Sequence, residues 1–86
     1  MGTAVYHIVR VSGRTPAHLD KTTRAVIASG FLHASEAREG AFRWVDRYFP
    51  GATYQADRDR WWIQEAEGSG HLFTIEPHST TRDLAR

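Results

Sequence analysis

The sequence predicts an α+β domain: a small single-layer sheet of about four strands, in the order β-α-α-β-β-β, with one main amphipathic helix packed on one face. Three observations predict it. An apolar, β-branched run opens the chain, a helix-period pattern occupies its middle, and after Ala52 the apolar residues recur every second position. At 86 residues the chain reads as one domain over 1–86, with a core over roughly 4–77 and a polar tail over 78–86 that frays or forms a last helical turn capped by Ser79.

Ala4–Ser12 (AVYHIVRVS) reads as a strand ended by Gly13. Val5, His7, Val9 and Val11 share one face, and Tyr6, Ile8 and Arg10 the other, so the strand lies inside the sheet or beside a helix on each side. A middle or an edge position is equally compatible with the pattern. Thr15-Pro16 reads as a helix start, a capping hydroxyl followed by proline at the first helical position. Leu19, Thr23, Val26 and Ile27 form a thin apolar stripe behind it, and Gly30 supplies the stop.

Ser35–Phe49 (SEAREGAFRWVDRYF) is the strongest pattern in the chain. Ser35 suits a cap, Glu36 and Glu39 complement the helix dipole, and Ala37, Ala41, Trp44, Val45 and Tyr48 recur at helical spacing, widened by Phe42 and Phe49. Trp44 is the expected anchor of this helix in the core. Pro50-Gly51 ends it. A meander follows: Thr53–Ala56, a turn at Asp57-Arg58-Asp59, Arg60–Ala66, a turn at Ala66–Gly70, then His71–Glu76 closed by Pro77. Trp61, Ile63, Phe73 and Ile75 share one face, and Trp62, Gln64, Leu72 and Thr74 the other.

Composition excludes several classes of chemistry. Without cysteine there is no disulfide, thiolate nucleophile or cysteine-based zinc site. The longest apolar runs fall far short of the ~20 residues that span a bilayer, and the start is no secretory leader, which predicts a soluble, cytoplasmic protein without a membrane partner. Net charge is only +1, although Lys21 is the single lysine against ten arginines. Arginine forks suit carboxylate or phosphate. The five histidines, His7, His18, His33, His71 and His78, show none of the spacings of a metal site, and no cofactor motif is present. Gly68-Ser69-Gly70 lacks the lysine and the following helix of a phosphate loop and reads as a hairpin turn.

The most suggestive segment is DRDRWWI, Asp57–Ile63. If Trp61 faces the helix, Trp62 faces away, with Arg58 and Arg60 near in sequence and Gln64 and Leu72 on its side of the sheet. An aromatic flanked by arginines has the composition of a binding hot spot, while burial of Trp62 in a second core is the competing reading. Arg58, Arg60, Trp62, Gln64 and Leu72 are therefore the expected binding residues. The expected function is a non-catalytic module acting by protein–protein contact, with the look of a phage or mobile-element accessory protein that inhibits a host complex. A nucleic-acid binder using the three-stranded sheet is the first alternative. The second is a small nuclease using His33, His71 and Arg60, because two imidazoles and a cation suffice for acid–base cleavage of RNA. The sequence is compatible with a homo-oligomer.

Three short pieces, YHIV at Tyr6–Val9, GFLHAS at Gly30–Ser35 and RYFPG at Arg47–Gly51, resemble a family of small bacterial domains of unknown function. Those domains open with a Y-x-I strand and carry G-F-I-H-x-S before a helix, which would single out Phe31, His33 and Ser35. The resemblance ends after Gly51, where that family continues with an apolar strand and this chain has ATYQADRDRWWIQ. No fold or function is carried over from it.

Overall fold

The computed structural model describes residues 4–79. Strand β1 (Ala4–Thr15) is followed by β2 (His18–Phe31), helix α1 (Ala34–Tyr48), β3 (Thr53–Gln55), β4 (Arg60–Gln64) and β5 (Gly70–Ser79). The five strands form one antiparallel sheet in the order β2-β1-β5-β4-β3. The α+β class holds, with β1 inside the sheet. The element order is β-β-α-β-β-β, and the sheet has five strands instead of four.

The missing strand is β2, which the sequence assigned to a helix. Thr15-Pro16-Ala17-His18 is a tight hairpin turn closed by the Thr15–His18 pair. The Thr15 hydroxyl accepts from the Ala17 N–H at 3.2 Å, as an N-cap threonine would accept. Proline likewise suits the second turn position as well as a helix start, so this chemistry does not distinguish the two. The strand alternation of β2 is broken by bulges. Between the pairs Arg10–Ala25 and Ser12–Asp20, the residues Lys21 to Arg24 stand opposite Val11 alone. Asp20 accepts from the N–H and hydroxyl of Thr22 at 3.0 and 2.6 Å, and Thr23 accepts from the Ser12 N–H at 2.7 Å, which fixes the bulge. A second irregularity sets Ser29 and Gly30 opposite His7, and Gly30 has φ +89. Gly30 is thus a bulge residue in the left-handed region, not a helix stop. These bulges, with Lys21 and Arg24, also blunt the long edge of the sheet, while the other edge is protected by the brevity of β3.

Helix α1 begins one residue earlier than the sequence indicates. His33 occupies the N-cap in extended conformation without a side-chain cap, and its carbonyl accepts from the N–H groups of Glu36 and Ala37 at 3.1 Å. The capping role expected of Ser35 is not taken up. Small residues set the approach to the sheet: Ala37, Ala41 and Val45 are the buried helix positions, and Ala41 and Val45 join Ile8, Trp61 and Phe73 in the core cluster. Gly40 belongs to the same contact, because a Cβ there would lie 3.0 Å from the Phe31 ring. Trp44 is only half-buried, at the rim, with its ring 4.8 Å from Tyr48, 5.8 Å from Phe49 and 5.6 Å from Phe73. Tyr48 and Phe42 are exposed at 56% and 42%, so the widened stripe does not translate into a widened core.

The meander follows the sequence closely. Trp61 pairs with Phe73 and Trp62 with Leu72, so the adjacent tryptophans leave opposite faces as alternation requires. The last strand does not stop at Pro77. It runs to Ser79, with Tyr6 opposite Pro77. Beyond Thr74, β5 is paired only on its β1 side, where a proline is tolerated as at a sheet edge. His78 and Ser79 therefore lie in β5, and the rest of the predicted tail lies outside the described residues. No helix among the described residues is long and apolar enough to cross a membrane.

Candidate functional site

Helix α1 packs against one face of the sheet, and no other described element covers the opposite face. The five predicted binding residues lie on that side or beside it. Trp62, Arg60 and Gln64 alternate along β4, and Leu72 stands directly across from Trp62 on β5. Arg58 sits in the β3–β4 turn, exposed, with its guanidinium 3.8 Å from the carboxylate of neighbouring Asp57.

Their surroundings divide them. Trp62 is half-buried and spans the strand pair to lie over Gly70: a Cβ on Gly70 would come within 2.3 Å of the indole. The glycine thus makes the seat in which the ring rests, and the ring is held before any partner arrives. Leu72 stands beside Trp62 and across from Val11, and at 6% exposure it is far less open than the indole. Val9 is fully buried on the same face, between Val26 and Thr74. Arg60 is half-buried, its Nε donating to the Gln55 side-chain carbonyl. Gln64 donates its amide to the carbonyls of Gly68 and Ser69, at 2.8 and 3.3 Å, and so braces the β4–β5 turn. Arg24 reaches across β1 to Glu76 at 2.7 Å, an exposed pair of small energetic weight.

The two-histidine arrangement does not form. His33 follows Phe31, which pairs with Tyr6, whereas His71 pairs with Ser12. Six strand residues separate those positions, roughly 20 Å at the rise of a β-strand. Arg60 opposes Thr74, one residue out of phase with His71 and its partner Ile63, so it projects from the other face. His71 is used differently. Its Nδ1 lies 2.7 Å from the Ser12 hydroxyl, its Nε2 lies 3.5 Å from Glu65, and its ring packs 5.1 Å from Phe49. The three groups lie in the order serine, imidazole, carboxylate. The Glu65 contact is too long for a well-formed hydrogen bond. The trio ties β1, β5 and the turn after β4 together. Its members are remote in sequence, so only the strand register assembles them.

The most connected polar group among the described residues was not legible in the sequence. Asp59 closes the β3–β4 turn in the left-handed region at φ +53. Its carboxylate accepts two parallel bonds from Arg38 of α1, both at 2.9 Å, and a third from the Tyr54 hydroxyl at 2.7 Å. The bidentate geometry is the strong form of an arginine–carboxylate pair, and it fastens the hairpin to the helix. The Arg38 hydrogen bonds hold the Asp59 carboxyl below its usual range; partial burial opposes this, and the Tyr54 hydrogen bond adds to the lowering. The same contact with Asp59 raises the Tyr54 hydroxyl.

A pH dependence follows. Folding lowers the Asp59 value, so the latch stabilises the fold above the unfolded aspartate pKa of about 3.9 and its contribution is lost as pH falls through the folded value. Asparagine tolerates the left-handed backbone. Asp59→Asn is therefore expected to melt below wild type at pH 7, with the gap narrowing as pH drops below about 4. A gap of constant size across an acid titration by circular dichroism would show that the carboxylate charge plays no part.

Comparison of the chain with family models, with curated proteins and with solved structures finds no match in any of the three.

Proposed function

We propose that the domain is a non-catalytic binding module whose partner is a protein, engaged by the sheet face opposite α1. One observation carries this reading: Trp62 is preset over Gly70, beside Leu72, on a face that no described element covers. A large ring already held in place loses little conformational freedom on binding, and tryptophan in such a setting is the usual centre of a protein hot spot. Arg60 and Arg58 stand at its rim. In its sharper form the reading makes the domain a phage or mobile-element accessory protein that occludes a host complex.

Nucleic acid is the second reading, supported by the pairing of Trp62 with two arginines. Several features weigh against it. Arg60 is tied to Gln55, Arg24 is paired with Glu76, and the chain carries a net charge of only +1. A phosphate-binding face needs several free cations.

Affinity capture from host lysate, with and without nuclease, separates the two. A captured protein whose retention survives nuclease supports the first reading. Trp62→Ala is expected to weaken that complex by at least ~2 kcal/mol while the domain stays folded. Binding that needs nucleic acid and falls steeply with salt would transfer the face to the second reading. Unchanged affinity in Trp62→Ala would remove this face from the interface.

A further inference from the structure

On the helix side of the sheet, α1 and the β3–β4 hairpin enclose a second feature. Phe42 of α1 lies against two rings of the hairpin, 4.6 Å from Tyr54 and 5.0 Å from Trp61, the latter edge to face, and Tyr54 and Trp61 lie 4.8 Å apart. The three rings touch one another, so they form one continuous aromatic wall. Beside this wall is a shallow cleft of about 80 Å³, lined also by Asp46, Gly51 and Ala52. That is well below the range for whole small-molecule sites, so it admits a single small head group at most.

Asp46 follows Phe42 by one helical turn and is exposed, and its carboxylate has no ion-pair or hydrogen-bond partner among the described residues. Arg43, one turn before Asp46, and the adjacent Arg47 are exposed on the same helix, and neither forms an ion pair with it. Gly51 has φ +99 and nothing within 4 Å of where a Cβ would be, so the backbone leaves the approach beside Asp46 clear. Phe42 keeps 42% of its surface exposed although two rings pack on it.

We infer that this cleft binds an organic ammonium group, a cation that carries methyl or methylene groups, with Phe42 and Tyr54 as the accessible aromatic wall, Trp61 buried behind them, and Asp46 as the counter-charge. Aromatic faces are electron-rich and attract such a cation, and its alkyl surface loses water against them. A carboxylate at the rim supplies the long-range attraction without requiring the ammonium to be stripped fully of water. A small inorganic cation makes poor use of the wall, and a neutral apolar group makes no use of Asp46. The head group can come from a free quaternary amine or from a methylated lysine side chain; the chemistry that recognises it is shared. The site lies across the sheet from Trp62, so it stands independently of the protein-binding reading.

The test titrates the full chain with tetramethylammonium chloride, choline and a trimethyllysine peptide, following the Trp61 indole N–H by NMR. Sodium chloride at matched ionic strength and neutral tert-butanol are the controls. Saturable binding of tetramethylammonium is expected, on the order of millimolar as suits a single head group, and tighter than tert-butanol. Asp46→Asn lies on the surface and preserves the fold; it is expected to weaken the ammonium about fivefold and leave tert-butanol unchanged. Phe42→Ala should weaken both. Choline binding alone assigns a free amine, and a tighter trimethyllysine peptide assigns a side chain; either outcome supports the site. Equal binding of tert-butanol and tetramethylammonium, no effect of Asp46→Asn, or shifts that sodium chloride reproduces would each overturn it.

Discussion

Trp61→Ala is expected to destabilise the domain by about 3–5 kcal/mol, the range for emptying a large aromatic site in a core. Trp61 is 2% exposed and is the largest fully enclosed side chain after the fold is assembled, packed with Ile8, Ala41, Val45 and Phe73. A loss of that size is a large share of the total stability of so small a domain. Its indole N–H finds no acceptor among the described residues. A buried unmade hydrogen bond costs about 1–3 kcal/mol, so Trp61→Phe, which deletes the donor and keeps a ring, should cost far less than alanine. Trp62→Ala removes only a cross-strand cover from Gly70 and should cost about 1 kcal/mol. Chemical denaturation of the three variants checks the order. A Trp62→Ala loss equal to that of Trp61→Ala would mean that both faces of β4 are core.

Gly13→Ala is expected to cost about 1–3 kcal/mol, in the manner of an overpacked core, although glycine to alanine in a strand is ordinarily favourable. A Cβ at Gly13 would stand 2.2 Å from the His18 carbonyl oxygen and 2.7 Å from the Leu19 Cα. Both obstacles are backbone, so no rotamer relieves them; the β1–β2 hairpin must open where its turn closes. The melting temperature should fall, and amide exchange of Leu19 and its neighbours should quicken before that of β4 and β5. Gly68→Ala offers the contrast. It has φ +99 with nothing within 4 Å, so its cost comes from backbone conformation alone and should stay local to the β4–β5 turn. If Gly13→Ala melts with wild type, the two strands do not approach this closely.

The sequence by itself determined the α+β class, the extent of α1 to within a residue, and the faces of β4 and β5. Those elements carry an unbroken period, 3.6 in α1 and 2 in the meander, and period alone separated Trp61 from Trp62. It did not determine β2. The bulges at Lys21–Arg24 and Ser29–Gly30 interrupt alternation, so Leu19, Thr23, Val26 and Ile27 fall by accident at helical spacing, and Thr15-Pro16 serves a turn as readily as a helix. Pairing with β1 decides the matter, and pairing is a contact between distant strands.

Burial was likewise decided only in three dimensions. Periodicity gives the direction of a side chain but not how closely the sheet approaches it. Trp44 points toward the core yet stops at its rim, because Ala37 and Ala41 bring the helix down ahead of it. Its truncation should therefore cost less than the core value that its position in the pattern suggests. Leu72, grouped by alternation with Trp62, is nearly closed off at 6% exposure while its partner is half-buried. The clusters Arg38–Asp59–Tyr54, Ser12–His71–Glu65 and Phe42–Tyr54–Trp61 join residues from separate elements. No local pattern encodes their meeting; it follows from the strand register and from how the helix docks on the hairpin.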